Sequence, residues 1–571
     1  MAVAIPAIAQ VQNSAAPAIP APATSQPAPQ AQPVQGQVEA LQESDSTDNV
    51  AEAVETQAPA PPVEYPAFAR RDPFTAGALD PVQLGIGAEP WGLANGTFLS
   101  GLMRRMDTPI ASRWAHIALR DALLSSAHSP GGVNPVDWAA ERAWLLLRMG
   151  EADAARMLVA KVDTDRFTPK MVQVAVQAAL ATSDPLGLCP LTDGIRKAEP
   201  RILPLVQAMC SGLNGEPDSA AAEIDAARRR GPIGGIDLAL AQKVVGATAE
   251  TGTAATIEWD PVDALTAWRY GLSTATAMSP PKRLLDSASP QLRAWFARSP
   301  LIPFQDRLDS ARIATGLGVF SSQALTDFYS SIYDATDPND LGGTDAWQLR
   351  LAFAAKDEQT RLDAMRHLWT LGGDRLQREA SRALLARAAS RIEPNSDLEA
   401  DAPDLIASML AAGMDTEAAR WANAVRRMGD KASDRAWAML ALGAPDGTPV
   451  DLSVGRIDSF IGRDQSAGHK RSALLVAGLA ALGRLDAGSA SRLNSRYRLH
   501  IERGSEWTQM VDAAARRHQS GSVLVLAGSG LQAPGFESVP SAHLFHIVMA
   551  LRNTGQEFTA RMIAAEALSR T

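Results

Sequence analysis

The chain has 571 residues, of which 46% are hydrophobic and 20% charged, enough apolar material for a large core. Its 63 acidic residues outnumber 54 basic ones, for a net charge of −9. Residues 1–73 alone carry eight acids against Arg70 and Arg71, so the remainder is close to neutral; this argues against a dedicated nucleic-acid binder, which needs cations to displace counterions from phosphate.

Residues 1–10 (MAVAIPAIAQ) read as the back half of a secretory signal peptide, with Ala7-Ile8-Ala9 as the cleavage pattern. A positive n-region is missing, since no Lys or Arg precedes Arg70. The expectation is export to the periplasm or cell envelope, with a cytoplasmic protein as the alternative. Residues 11–73 are rich in Pro, Ala and Gln and lack aromatics until Tyr65 and Phe68. Such a stretch buries too little apolar surface to offset its backbone entropy, so a disordered acidic linker is expected there.

Residues 74–571 read as a helical body. Apolar positions recur at spacings of three, four and seven, as in Ala155, Leu158, Val159 and Val162. Ala418, Trp421, Ala422, Val425 and Met428 form a second stripe, and Ala560, Ile563, Ala564 and Ala567 a third. Each is the buried face of an amphipathic helix. The strand-like run Ser522–Ala527 is short and flanked by Gly521 and Gly528, so helix is expected there too. The apolar runs Leu474–Leu482 and Leu544–Leu551 are too short to span a bilayer, which takes about 20 residues. Cys189 and Cys210 are the only cysteines. They are two buried thiols in a reducing compartment, or a possible disulfide in an oxidising one.

One frame repeats along the body. Gly150, Gly215, Gly413, Gly483 and Gly555 are each followed, five residues on, by a small residue: Ala155, Ala220, Ala418, Gly488 and Ala560. Glycine at a helix end takes the left-handed conformation that caps it. Asp153, Asp218, Asp415 and Asp486 follow where they can cap the next helix or meet its positive end. The small residue lets two helices pack closely. The frame thus specifies an antiparallel helical hairpin, recurring at multiples of roughly 65–72 residues with every second turn lacking it.

This turn resembles the inter-helix turn of tetratricopeptide (TPR) repeats, which place glycine and a small alanine at the same separation. The resemblance implies an all-α fold: a right-handed superhelix, or α-solenoid, of antiparallel hairpins. It is thin over residues 231–396, the least regular part, where helices are readable but no period is.

The search for chemistry yields no catalytic, metal-ligating or cofactor-binding set. His543 and His546 share one face of an apolar helix, but no HExxH motif or third ligand accompanies them. Asp163 and Asp165 read as a surface pair. Of the tryptophans, Trp144, Trp268, Trp369 and Trp421 sit on helical stripes and read as core, whereas Trp91 lies in a loop-like stretch and is the freest for another role. The favoured expectation is a non-enzymatic scaffold or adaptor of the bacterial envelope that binds a protein or peptide in its groove. The alternatives are an enzyme acting on envelope polysaccharide or peptidoglycan from an all-helical toroid, and a structural envelope component tethered through the N-terminal segment.

Overall fold

The computed structural model describes residues 66–107, 109–248 and 256–571. The stretch read as a signal-peptide remnant and most of the expected linker therefore lie outside the described residues, which are helical and contain no strand. The first third comprises α1 (Gly96–Arg104), α2 (Arg113–Leu124), α3 (Pro135–Met149), α4 (Ala152–Val159), α5 (Pro169–Ala181), α6 (Thr192–Ala198), α7 (Leu203–Leu213), α8 (Pro217–Arg230) and α9 (Gly235–Thr248). The middle comprises α10 (Ala267–Ala275), α11 (Lys282–Asp286), α12 (Pro290–Ala297), α13 (Phe304–Leu317), α14 (Ser322–Ala335), α15 (Asp345–Ala354), α16 (Glu358–Trp369) and α17 (Arg375–Ala389). The last third comprises α18 (Ala402–Ala411), α19 (Asp415–Ala419), α20 (Ala422–Arg427), α21 (Asp430–Gly443), α22 (Val454–Arg463), α23 (Lys470–Ala481), α24 (Ala487–Tyr497), α25 (Glu506–Arg516), α26 (Ser520–Gly530), α27 (Ser541–Asn553) and α28 (Glu557–Ser569). The run Ser522–Ala527 lies inside α26.

All five frame glycines are left-handed, with φ of 89° at Gly150, 85° at Gly215, 76° at Gly413, 71° at Gly483 and 83° at Gly555. Each ends the first helix of a packed pair: α3 on α4, α7 on α8, α18 on α19, α23 on α24, α27 on α28. In each, the amide after the glycine reaches back five residues. Glu151 N–H donates to Leu146 O at 2.9 Å, and Gln556 N–H to Leu551 O at 2.9 Å. This bond satisfies a carbonyl that the helix end leaves orphaned.

The turns that lack the glycine frame use other residues. Ser183 (φ 55°) and His518 (φ 53°) are left-handed and carry the same back-bond, Asp184 N–H to Ala179 O and Gln519 N–H to Ala514 O, both at 3.0 Å. Gly447 (φ 82°) sits in the wider α21–α22 connection. Left-handed residues between the two helices of a hairpin thus fall at 150, 183 and 215, and again at 413, 447, 483, 518 and 555, at intervals of 32–37 residues; others, such as Gly468, His469, Arg498 and His500, lie in the links between hairpins. Across the middle they fall at 235, 277, 318 and 372, without a common spacing.

The expected caps are only partly made. Asp486 caps α24, accepting from Ser489 N–H at 2.9 Å. Asp153, Asp218 and Asp415 lie in the first turn but make no cap bond. Asp153 pairs instead with Arg298, and Asp415 with Arg561 at 2.8 Å. The back-bonded turn already fixes the next helix, and these carboxylates link hairpins sideways. Ala155, Ala220, Ala418 and Ala560 are buried at the helix contacts; Gly488 is exposed, because α24 starts later relative to its glycine.

The ordered chain reaches back before residue 74. Arg70 pairs with Asp165, and Arg71 N–H donates to Asp163 at 3.1 Å, so the acid pair receives the only two bases of the N-terminal segment. Residues 76–91 then cross the body, with Gly521 N–H donating to Pro90 O at 2.9 Å.

Helix α2 packs on both α26 and α28. Ser112 caps α2 and its hydroxyl donates to Glu566 of α28. Glu566 also accepts Arg113 N–H at 2.9 Å and pairs with Arg570 at 2.6 Å. The buried Arg113 guanidinium donates to the carbonyls of Thr315 (2.9 Å), Phe320 (3.1 Å) and Ala411 (2.7 Å), at the ends of α13 and α18. A strict nearest-neighbour array, in which each repeat touches only its neighbours, has no such junction.

Candidate functional site

A polar pocket of about 270 Å³ lies where α21, α22, α23 and α28 meet. Lys431, Asp434, Arg435 and Ala438 line it from α21; their spacing of three, four and seven places them on one helical face. The end of α22 and the following turn supply Phe460, Arg463, Asp464 and Gln465, the first turn of α23 supplies Arg471, and α28 supplies Leu568.

The two carboxylates in this pocket are engaged. Asp434 takes Arg463 in a fork, at 2.8 and 2.9 Å, and Arg456 at 2.8 Å. The Asp434 bonds raise the Arg463 pKa, outweighing partial burial. Burial alone would push the Asp464 carboxyl up, but donors from Ser472 and Ser466 hold it below the usual range.

The remaining cations are less well matched. Arg435 has its nearest carboxylate, Asp404, at 3.8 Å. About half of its side chain is exposed; partial burial, and further the like charges of Arg382 and Arg471, push its pKa down against the pull of Asp404. The Arg471 guanidinium donates to the main-chain oxygen of Thr571, the last residue of the sequence, at 2.8 Å. Among the described residues, neither Arg471 nor the exposed Lys431 has a side-chain carboxylate within 4 Å. No local motif announces these residues, because they come from four elements and basic residues are frequent throughout.

The histidine pair lies elsewhere, between α25 and α27. His543 rests on Trp507, ring centroids 4.2 Å apart, with Nδ1 3.1 Å from Gly530 O. Burial pushes its pKa below the ordinary value. His546 Nδ1 is 2.8 Å from Asp512 Oδ1. Asp512 in turn lines an open surface cavity of about 380 Å³ with Arg516, His518, Met549 and Asn553. The two histidines thus have separate partners, and no group of three His, Cys, Asp or Glu among the described residues is placed to hold a metal.

Cys189 and Cys210 form a disulfide, with Cα atoms 5.6 Å apart, joining the turn after α5 to α7. The five frame glycines are spread along the body and converge on no site. Trp91 is a core residue, 1% exposed and edge-on to Trp138 at 5.1 Å; the chain crossing the body carries it under α26, so its loop-like sequence does not leave it free. Trp421 is buried, Trp268 and Trp369 are partly buried, and Trp144 is exposed on α3. No protein-family model, curated protein or solved structure matches the chain.

Proposed function

We propose that the chain is a non-enzymatic scaffold or adaptor of the bacterial cell envelope that holds a protein or extended peptide. The observation that carries this reading is one left-handed, back-bonded hairpin turn at residues 150, 183 and 215 and again at 413, 483, 518 and 555, spaced by 32–37 residues except for the double interval from 413 to 483. Hairpins of this length stack in TPR-like arrays, whose helices present a long curved binding surface. In this reading the hairpins form a right-handed superhelix curled tightly enough for α28 to meet α2. The disulfide supports an oxidising compartment and hence the envelope over the cytoplasm.

A second reading, an enzyme acting on envelope polysaccharide or peptidoglycan, is favoured by the His546–Asp512 contact beside an open cavity. A carboxylate on one imidazole nitrogen orients the other for general base work.

The test separates the two. The full chain, with a crosslinker introduced at Lys431, is used to capture partners from native envelope extracts. The adaptor reading expects a discrete crosslinked polypeptide and no product released from peptidoglycan. Release of product, stopped by His546→Gln without loss of fold, would replace it with the enzyme.

A further inference from the structure

We propose that residues 76–92 are a clasp that docks and releases as one unit, closing the corner of α2 and α3 onto the start of α26. This goes beyond the adaptor reading and does not depend on it.

Both ends of the segment complete helix termini whose backbone groups have no partner within their own helix. At its beginning, Ala78 N–H and Leu79 N–H donate to Leu124 O at 2.7 and 3.2 Å, and Ser126 N–H donates to Leu79 O at 2.8 Å. These bonds serve the C-terminal end of α2. The buried Arg142 of α3 donates to Ala76 O as well as to Leu123 O and Ser125 O, so it fastens the segment to the same corner. At the other end, α26 has no side-chain cap. Pro90 O takes that place, accepting Gly521 N–H at 2.9 Å and Ser522 N–H at 3.4 Å, and Ile86 O accepts the Ser520 hydroxyl. Trp91 anchors this end, edge-on to Trp138.

Between the ends the hold is lighter. Pro81 is buried and Leu84 partly so, but Val82, Gln83, Gly85, Gly87, Ala88 and Glu89 are exposed. A Cβ added at Gly85 or Gly87 meets nothing within 4 Å. A short link with two docking ends behaves as a bivalent ligand: with one end seated, the other binds from a high effective concentration, so the loss of either weakens both. The helices need not open with it, because Ser112 and Arg113 N–H hold α2 to Glu566 of α28 independently. Release uncovers the side of Trp138 that Trp91 covers and the first turn of α26, and leaves that tie in place.

The experiment is native-state hydrogen exchange on the full chain, with a wedge at one end of the clasp and the response read at the other. Gly77 is not left-handed, so its backbone accepts alanine, yet a Cβ there would stand 2.2 Å from Ser125 O. At Gly521 a Cβ would stand 2.8 Å from the Trp91 ring, in a helix that alanine otherwise favours. Gly77→Ala is expected to speed exchange at Gly521 and Ser522 by about tenfold or more, and Gly521→Ala to do the same at Ala78 and Leu79. Ser520→Ala, which adds no bulk, speeds Ala78 and Leu79 by about threefold. The interiors of α2 and α26 keep their protection in all three variants. Cleavage after the exposed Glu89 by a glutamyl endopeptidase rises in step, and Gln83→Ala, at an exposed position, changes none of these readings.

Two results overturn the clasp. Exchange that rises only at the altered end, or at neither end, means that the two contacts are not coupled. Equal acceleration in the interiors of α2 and α26 means that the segment opens only with the whole body and is no unit of its own.

Discussion

Glycine at 555 and histidine at 518 hold the same left-handed turn position in consecutive hairpins. A β-carbon there crowds the following carbonyl, at about 1–2 kcal/mol, partly offset by the extra freedom glycine gives the unfolded chain. His518→Gly is therefore expected to raise stability by about 0.5–1 kcal/mol. The reverse change separates strain from space. At Gly215 an added Cβ meets nothing within 4 Å, so Gly215→Ala should cost only the conformational strain, about 1 kcal/mol. At Gly150 it would stand 2.9 Å from Ala294 Cβ, so Gly150→Ala should cost about 2–4 kcal/mol. Urea unfolding at unchanged m-value reads all three; equal losses at 150 and 215 would contradict the packing argument. His543 supplies a pH dependence. Burial depresses its folded-state pKa, so its contribution is fully present above the unfolded value of about 6.5 and is lost as pH falls through the folded value. The melting temperature should fall over that acidic window, and His543→Phe should flatten this component of the profile.

At the level of helices and turns, much was legible because it is local. The stripes at 155–162, 418–428 and 560–567 are buried faces, and the five glycine turns are made by backbone chemistry that only a few residues around them decide. Ser183 and His518 escaped because neither marks the left-handed region in a sequence as glycine does; the back-bond to the preceding helix accompanies that conformation at both. Trp91 was misread because burial by α26 comes from more than 400 residues away. The pocket cations were unreadable for the same reason: Lys431, Arg463 and Arg471 gain meaning only when α21, α22 and α23 meet. The disulfide, by contrast, joins near neighbours in sequence. Closing a loop over a separation of 21 residues should contribute about 3 kcal/mol. Cys189→Ser with Cys210→Ser should lower stability by about that amount, and the wild-type chain under reducing conditions should match it. A double variant as stable as the oxidised protein would remove the bond from the stability argument.

At the scale of the molecule, Glu566 is where the first, middle and last thirds are tied. It holds Ser112, the Arg113 amide and Arg570, while Arg113 reaches the ends of α13 and α18. Removing one partner of a buried charge pair leaves the other uncompensated, at about 3–5 kcal/mol. Glu566→Ala should therefore destabilise by that amount, whereas Lys431→Ala, an exposed change, should stay within about 0.5 kcal/mol. Equal, small effects would mean that the junction does not tie the body together.

The same junction sets a clock on biosynthesis. Ser112 and Glu566 are separated by 454 residues. A ribosome adding about 5–20 residues per second needs on the order of 20–90 s to pass from one to the other. Throughout that interval the apolar face of α2 lacks the helices α26 and α28 that cover it. The nascent chain therefore carries an uncovered segment at α2 until the hairpin of α27 and α28 arrives. A transcript cut short before residue 541 would yield a product marked for proteolysis at α2, far from the break.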